Sequence, residues 1–202
     1  MSIDLDRVRS AVRALSDPPS APGWNHDELH DVLGATLLRP AAVLVPIVAR
    51  GDDLSVLFTT RTEHLMQHAG QISFPGGGAE SEDADAVATA LRETQEEIGI
   101  PATLVQPFGY LDCFETISSY CVTPVVGALD AAYTTTLDPR EVADVFEVPL
   151  DFFLDPANLH HRRIEWRGRP RDVFDFPYHG KNIWGATAAM LLSLVRRLEK
   201  TS

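Results

Sequence analysis

The stretch that decides the fold is residues 76–100, which read GGGAESEDADAVATALRETQEEIGI. Its last part places three glutamates, Glu93, Glu96 and Glu97, within five residues. On a helix a residue faces the third and fourth residues after it, so these carboxylates can share one face. Such charges repel each other, and a divalent cation that prefers oxygen ligands, Mg²⁺ or Mn²⁺, removes the repulsion. The pattern therefore predicts a metal-binding helix, preceded by glycines that let backbone approach a ligand closely.

The composition is that of one globular domain. The chain has 202 residues, of which 45% are hydrophobic and 23% charged, and this length suits a single sizeable core. We expect residues 1–25 to form an N-terminal helix and loop, and residues 26–202 to form one catalytic domain. The N-terminus lacks the apolar stretch of a signal peptide, and no apolar run is long enough to span a membrane. With only two cysteines, Cys113 and Cys121, a cytoplasmic protein without membrane association is expected.

The net charge of −12 bears on the partners. It argues against a nucleic-acid partner, because such a surface needs a basic footprint. A polyphosphate substrate would need metal ions and local arginines to offset the acidic field. Five arginines crowd a late segment, where they can contact an anion or simply be solvated: Arg162, Arg163, Arg167, Arg169 and Arg171.

The hydrophobic periodicity predicts an α/β fold. Helices are expected at residues 3–15, from about Glu82 to Gly99 with Ser81 as N-cap, and from about Trp184 to Glu199. Strands are expected at 41–49, 54–60, about 104–112, 120–128 and 145–149, and a late hairpin at 163–166 and 172–176. Residues 61–75 read as a loop. This order indicates an α/β sandwich around a mixed sheet.

The metal-helix segment resembles the Nudix box, Gly-x5-Glu-x7-Arg-Glu-U-x-Glu-Glu-x-Gly-U, in which U is apolar. The second half matches with these residues: Arg92, Glu93, Glu96, Glu97, Gly99 and Ile100. The first half departs, because the residue eight before Arg92 is Ala84 rather than Glu. The substitutes for that acid are Asp83, Glu82 and Glu80.

The segment upstream resembles the signature of coenzyme A pyrophosphatases. It reads LFTTRT at 57–62 and HLMQHAGQISFPGG at 64–77, with Met66 where that family often has Arg. The resemblance implies a substrate-binding loop made by Gly70, Gln71, Phe74, Gly76 and Gly77. It also favours a phosphate contact for Arg61.

The resemblance implies the Nudix fold, an α/β/α sandwich around a mixed β-sheet, and metal-dependent hydrolysis of a pyrophosphate bond in coenzyme A or acyl-CoA. The products would be 3′,5′-ADP and (acyl-)4′-phosphopantetheine. Glu93, Glu96 and Glu97 would bind Mg²⁺ or Mn²⁺, and Arg92 would orient them. A remote carboxylate, Glu115 or Glu141, is a further candidate for the site, and the late arginines could attract the 3′-phosphate. Nudix folds often form homodimers.

Three alternatives remain open at this point. The substrate can be another nucleoside diphosphate derivative, such as a dinucleotide, an NDP-sugar or a nucleoside triphosphate. The chain can also be a Nudix-fold module that binds a nucleotide without cutting it. Finally, His64 and His68 have the spacing of zinc ligands, but they lack the adjacent Glu and soft ligands, so a loop or substrate contact is favoured.

Overall fold

A computed structural model of the chain describes residues 3–63, 69–166 and 168–201. The helices are α1 (Leu5–Ala11), α2 (His26–Leu33), α3 (Ala86–Ile98), α4 (Leu150–Leu154) and α5 (Gly185–Lys200). The first strands are β1 (Arg39–Arg50), β2 (Asp53–Arg61), β3 (Ile72–Ser73), β4 (Gly76–Gly78), β5 (Val105–Tyr110) and β6 (Phe114–Glu115). They are followed by β7 (Tyr120–Leu129), β8 (Val142–Pro149), β9 (His160–Trp166), β10 (Arg169–Tyr178) and β11 (Lys181–Trp184). Among the described residues, no helix has both the length and the apolar content to cross a membrane.

The central sheet has eight strands and is mixed, as predicted. Its main order is β3-β2-β1-β7-β5, with β4 beside β1, β6 beside β7 and β8 beside β2. Strands β1 and β7 run parallel, from the pair Arg39–Tyr120 to the pair Val48–Leu129. The other neighbours in this sheet are antiparallel. A second sheet of three strands has the order β11-β10-β9, and its β9–β10 hairpin is the predicted late hairpin.

Helices cover both faces of the central sheet, which confirms the α/β/α sandwich. Helix α3 packs on β1, β4 and β7, over a core that includes Leu44, Leu57 and Ile98. Helix α5 packs with α1 over the opposite core, which includes Phe58 and Leu194. Each core forms because successive side chains of a strand point to opposite faces of the sheet.

Helix α3 begins later than predicted. Its N-cap is Asp85, whose carboxylate accepts a hydrogen bond from the Ala88 N–H at 2.8 Å, so Ser81 as N-cap was wrong. The preceding turn is held outside the helix because the Asp83 carboxylate is bonded to the Thr89 hydroxyl and to Arg92, six and nine residues further along the chain. The end at Gly99 is confirmed by its left-handed backbone at φ 72°.

The N-terminal region differs from the prediction in two ways. Helix α1 ends at Ala11 rather than at Leu15, because the following chain extends and Arg13 pairs with Tyr110 of β5. Helix α2 was not predicted, although Leu29, Val32 and Leu33 have the spacing of one helix face; of these only Leu33 is buried. Val8 lies in the core beneath α5, while the domain boundary at residue 25 stays a prediction.

Candidate active site

Arg92 on α3 is the hub of a charged network. Its Nε and Nη2 donate to the two carboxylate oxygens of Asp83 at 3.0 and 2.9 Å. Its Nη1 donates to Glu93 Oε1 at 3.1 Å and to Glu96 Oε2 at 2.9 Å. Nη2 also donates to the carbonyl oxygen of Gly78 at 3.0 Å. Arg92 therefore joins the glycine strand β4, the turn before α3 and two of the predicted metal ligands.

Asp83 is the acid that supports Arg92 from the turn before the helix. The two-bond fork between guanidinium and carboxylate is a strong, orienting contact, and it holds the pKa of Asp83 well below its usual range. The Asp83 side chain is only 7% exposed. Glu80 is 61% exposed and stands 3.9 Å from Arg92 Nη1, and Glu82 accepts from Ser81. Asp83 is thus the best substitute for the first acid of the box, one residue before Ala84.

Glu97 is the buried carboxylate of the site. It is 3% exposed, accepts a hydrogen bond from the Gly76 N–H at 3.1 Å, and lies 3.8 Å from Arg61 Nη1. Burial raises its pKa to about 8, and repulsion from Glu93 and Glu141 acts in the same direction. A buried carboxylate of this kind is costly unless a cation approaches it.

The three predicted ligands have different surroundings. Glu93 is half-buried, and burial raises its pKa, with repulsion from Glu96 and Glu141 adding to the effect. Glu96 is 59% exposed and pairs with Arg92. The structure therefore grades the three carboxylates from buried Glu97 to exposed Glu96, a difference that their spacing alone does not give.

The glycines of β4 bring backbone against these carboxylates. A Cβ at Gly77 would lie 2.5 Å from Glu93 Oε1. A Cβ at Gly76 would lie 2.4 Å from the carbonyl oxygen of Ala42, and Gly76 has a φ of +153°. Because real side chains do not fit at such distances, the glycine run is needed for the close approach that the sequence predicted.

The predicted substrate loop divides into two parts. Arg61, at the end of β2, donates its N–H to the Gln71 carbonyl oxygen at 2.9 Å, and Gly70 is exposed beside it. Phe74 is 2% exposed and stacks on Phe58 in the core beneath α5, with ring centroids 5.1 Å apart. Phe74 therefore supports the loop from within, and a substrate contact for it stays a prediction. His64, Met66, His68 and Arg167 lie outside the described residues.

The two remote carboxylates proposed from the sequence, Glu115 and Glu141, lie in different parts of the structure. Glu115 is buried on β6, where it accepts from the Gly23 N–H at 2.9 Å and contacts His26 Nδ1 at 2.9 Å. It locks the start of α2 onto the sheet. Glu141, just before β8, is exposed and acts electrostatically on Glu93 and Glu97. Of the two, Glu141 is the one whose charge acts on the carboxylates of α3.

The arginines of the late hairpin are engaged with aspartates. Arg162 bonds to Asp175, and Arg163 bonds to Asp172. Arg169 and Arg171 both pair with Asp31 of α2. Arg162 and Arg163 therefore join β9 to β10, while Arg169 and Arg171 join the hairpin to α2.

The donor chemistry of the site fits a hard divalent cation. Glu93, Glu97 and Glu141 repel one another, and carboxylate oxygens are the ligands that Mg²⁺ and Mn²⁺ prefer. Across residues 3–63, 69–166 and 168–201, no three His, Cys, Asp or Glu side chains are already gathered as a finished metal site. The fit therefore rests on the type and charge of the donors.

Sequence reasoning missed a residue that supports this site, Thr62. Its buried hydroxyl donates to the Arg140 carbonyl oxygen at 3.1 Å, directly before Glu141. A hydroxyl residue next to Arg61 is visible in the sequence, but its partner is 78 residues away. No local pattern could have identified that contact.

Comparisons with known proteins identify the family of the chain. The family model of the NUDIX domain matches residues 38–167. An uncharacterized Nudix hydrolase, NudL, of Photorhabdus laumondii is 39% identical over 161 residues, covering 80% of this chain and 86% of NudL. NudL of Yersinia pestis is 39% identical over 160 residues, covering 79% and 80%. The MutT protein from Methanosarcina mazei, a solved structure, shares the fold with a TM-score of 0.50 and 18% identity over 80% of this chain and 93% of its own. The chain belongs to the Nudix family and is a Nudix pyrophosphohydrolase.

Proposed function

We propose that the enzyme cleaves the pyrophosphate bond of coenzyme A or acyl-CoA. The products are 3′,5′-ADP and 4′-phosphopantetheine or its acyl form. The observation that carries the proposal is that the upstream segment, which resembles the coenzyme A pyrophosphatase signature, ends beside the metal helix: Arg61 lies 3.8 Å from Glu97, and the Gly76 N–H donates to that same carboxylate. Arg61 and the loop formed by Gly70, Gln71, Gly76 and Gly77 bind the substrate.

Nudix hydrolases generally need divalent metal ions, and we propose Mg²⁺ or Mn²⁺ here, held by Glu93, Glu96 and Glu97. When bound, the metal neutralises charge on the phosphates and lowers the pKa of a coordinated water. Arg92 orients Glu93 and Glu96, since it donates to both. The Gly76 N–H and Arg61 keep Glu97 directed into the site.

Glu141 accepts the proton of the attacking water in this proposal. Glu93 and Glu96 are both bonded to Arg92, and Glu97 is bonded to Gly76. Within the described part of the chain, the Glu141 carboxylate takes part in no hydrogen bond, although it is close enough to raise the pKa of Glu93 and Glu97. An exposed carboxylate without a donor is available for proton transfer.

One observation favours a different substrate, another nucleoside diphosphate derivative. Arg162, Arg163, Arg169 and Arg171 are paired with aspartates. These side chains are therefore poor candidates for a 3′-phosphate contact, which is the group that distinguishes coenzyme A from many other pyrophosphates.

Two further expectations, a homodimer and a cytoplasmic location, stay predictions.

The test is turnover with Mg²⁺ or Mn²⁺ on coenzyme A, acetyl-CoA, NADH, ADP-ribose and nucleoside triphosphates, with products separated by chromatography. Preferred release of 3′,5′-ADP from coenzyme A supports the proposal. Cleavage of another pyrophosphate in preference would keep the metal helix and replace the substrate. Nucleotide binding without any turnover would instead support a non-catalytic module.

A further inference from the structure

The segment 136–142, which leads into β8, is hydrogen-bonded at one end to the last turn of α3 and at the other end to Thr62, just after β2. The Thr136 N–H donates to the Ile98 carbonyl oxygen at 2.9 Å, and the Asp138 N–H donates to the Glu97 carbonyl oxygen at 2.9 Å. These bonds satisfy carbonyls that the end of a helix leaves without partners. One of them is on Glu97 itself, so the segment is attached at the site.

The other end of this segment is held by Thr62. Its N–H donates to the Glu141 carbonyl oxygen at 2.9 Å, and its hydroxyl donates to the Arg140 carbonyl oxygen at 3.1 Å. Those two carbonyls belong to the peptide groups on either side of the Glu141 Cα. Thr62 is only 6% exposed, so a carbonyl that lost this donor would have poor access to water.

The pairing of β2 with β8 is irregular at the same place. Thr60 is opposite Asp144 and Arg61 is opposite Val142, so Ala143 is an extra residue in β8. Such a bulge changes the direction of the side chains that precede it, and bulges are common beside active sites. The direction of Glu141 therefore depends on contacts that hold the bulged segment, rather than on regular strand pairing.

We infer that Thr62 is a positioning residue for Glu141. Its two hydrogen bonds fix the backbone on both sides of Glu141, while Asp138 fixes the segment to Glu97. The side-chain bond is the part that substitution can remove, since the N–H remains in any residue except proline. The inference rests on the proposed role of Glu141 in the metal-dependent site.

The experiment is a double-mutant cycle between Thr62→Val and Glu141→Gln, with Thr62→Ser as the matched control that keeps the hydroxyl. Thr62→Val should lower kcat about tenfold with little change in KM, as expected for loss of one buried hydrogen bond that orients a reacting group. In the Glu141→Gln enzyme, Thr62→Val should lower kcat by less than about twofold, because the effects of two residues that act through one group are not additive. Thr62→Ser should stay within about threefold of the wild type.

A second control separates positioning from general stability. Thr187 is also a buried threonine whose hydroxyl donates to a carbonyl, that of Ile72 at 3.1 Å. Thr187→Val should have the same effect on kcat with and without Glu141→Gln. Equal losses from Thr62→Val in both backgrounds, or wild-type kcat in Glu141→Gln, would overturn the inference.

A readout without turnover keeps this test apart from the choice of substrate. The negative charge of Glu141 acts on Glu93 and Glu97 and so favours a cation beside them. The rise in melting temperature on adding Mn²⁺ should therefore be reduced in Glu141→Gln and in Thr62→Val, which misplaces that charge, and kept in Thr62→Ser. If coenzyme A is not cleaved, the cycle is measured on whichever pyrophosphate the wild type cleaves. If no substrate is turned over, the rise in melting temperature on adding Mn²⁺ is the test. An equal rise in all variants would overturn the inference.

Discussion

Helices α3 and α5 pack on opposite faces of one sheet, yet they bury different chemistry. Helix α5 buries nine residues, of which only Thr187 is polar. Helix α3 buries five, and three of them are polar: Thr89, Thr94 and Glu97. The comparison indicates that the α5 face supplies apolar stabilisation, while the α3 face holds charge where the reaction needs it, at a cost in stability.

The largest effect is expected from Glu97→Gln. Loss of this carboxylate removes a proposed metal ligand, and kcat should fall by about a thousandfold. The fold should persist, because glutamine has nearly the same volume and burial already disfavours the charge. Turnover and thermal melting of the purified variant test both statements. Full activity in Glu97→Gln would show that the metal ligands were assigned wrongly.

On the opposite face of the sheet, Leu194→Ala should reduce stability and leave catalysis unchanged. Leu194 is fully buried on α5, and the cavity should lower the free energy of unfolding by about 3 kcal/mol. The kcat per folded molecule should be unchanged, since Leu194 packs on the face away from Glu97. Denaturant unfolding gives the first quantity, and initial rates below the melting transition give the second. A kcat that fell as much as in Glu97→Gln would contradict the division between the two faces.

Loss of the hydrogen bonds between Asp83 and Arg92 should lower activity less than loss of the Glu97 carboxylate. Asp83 acts only through the residues that Arg92 orients. Asp83→Asn should lower kcat or metal affinity by about thirtyfold, within the range for residues that orient metal ligands. Asp83→Glu, which keeps the charge, is the matched control and should retain more activity. Metal titrations of kcat distinguish the two effects. If both variants matched the wild type, Asp83 could not be the substitute for the first acid of the box.

The smallest expected effect is stabilisation by metal. At ten times the dissociation constant, Mn²⁺ should add about 1.4 kcal/mol, or a rise of about 4 °C in melting temperature for a chain of this size. Removal by EDTA should reverse the rise. Leu194→Ala should show the same increment as the wild type, whereas Glu97→Gln should lose most of it. A shift retained in Glu97→Gln would place the metal elsewhere.

Much of the fold could be predicted because its signals are local. The apolar run at 41–49 and the turn at Gly51 gave the β1–β2 hairpin, and Gly99 gave the end of α3. The start of α3 was predicted wrongly because it depends on a side-chain contact between residues nine apart, which lies outside the N-cap pattern. The contact of Asp83 with Arg92 moved the start of α3 to Ala86.

The candidate site shows the same division. The residues alone predicted the acidic helix, the arginine within it and the glycine run. Their spacing places carboxylates on one helix and removes side chains from the backbone beside it. The burial of Glu97 and the place of Phe74 in the core follow only from the folded chain. Folding also brings the Thr62 N–H and hydroxyl to the carbonyl oxygens on either side of the Glu141 Cα. Burial, pKa and hydrogen-bond partners depend on segments that are far apart in the chain, and only folding brings those segments together.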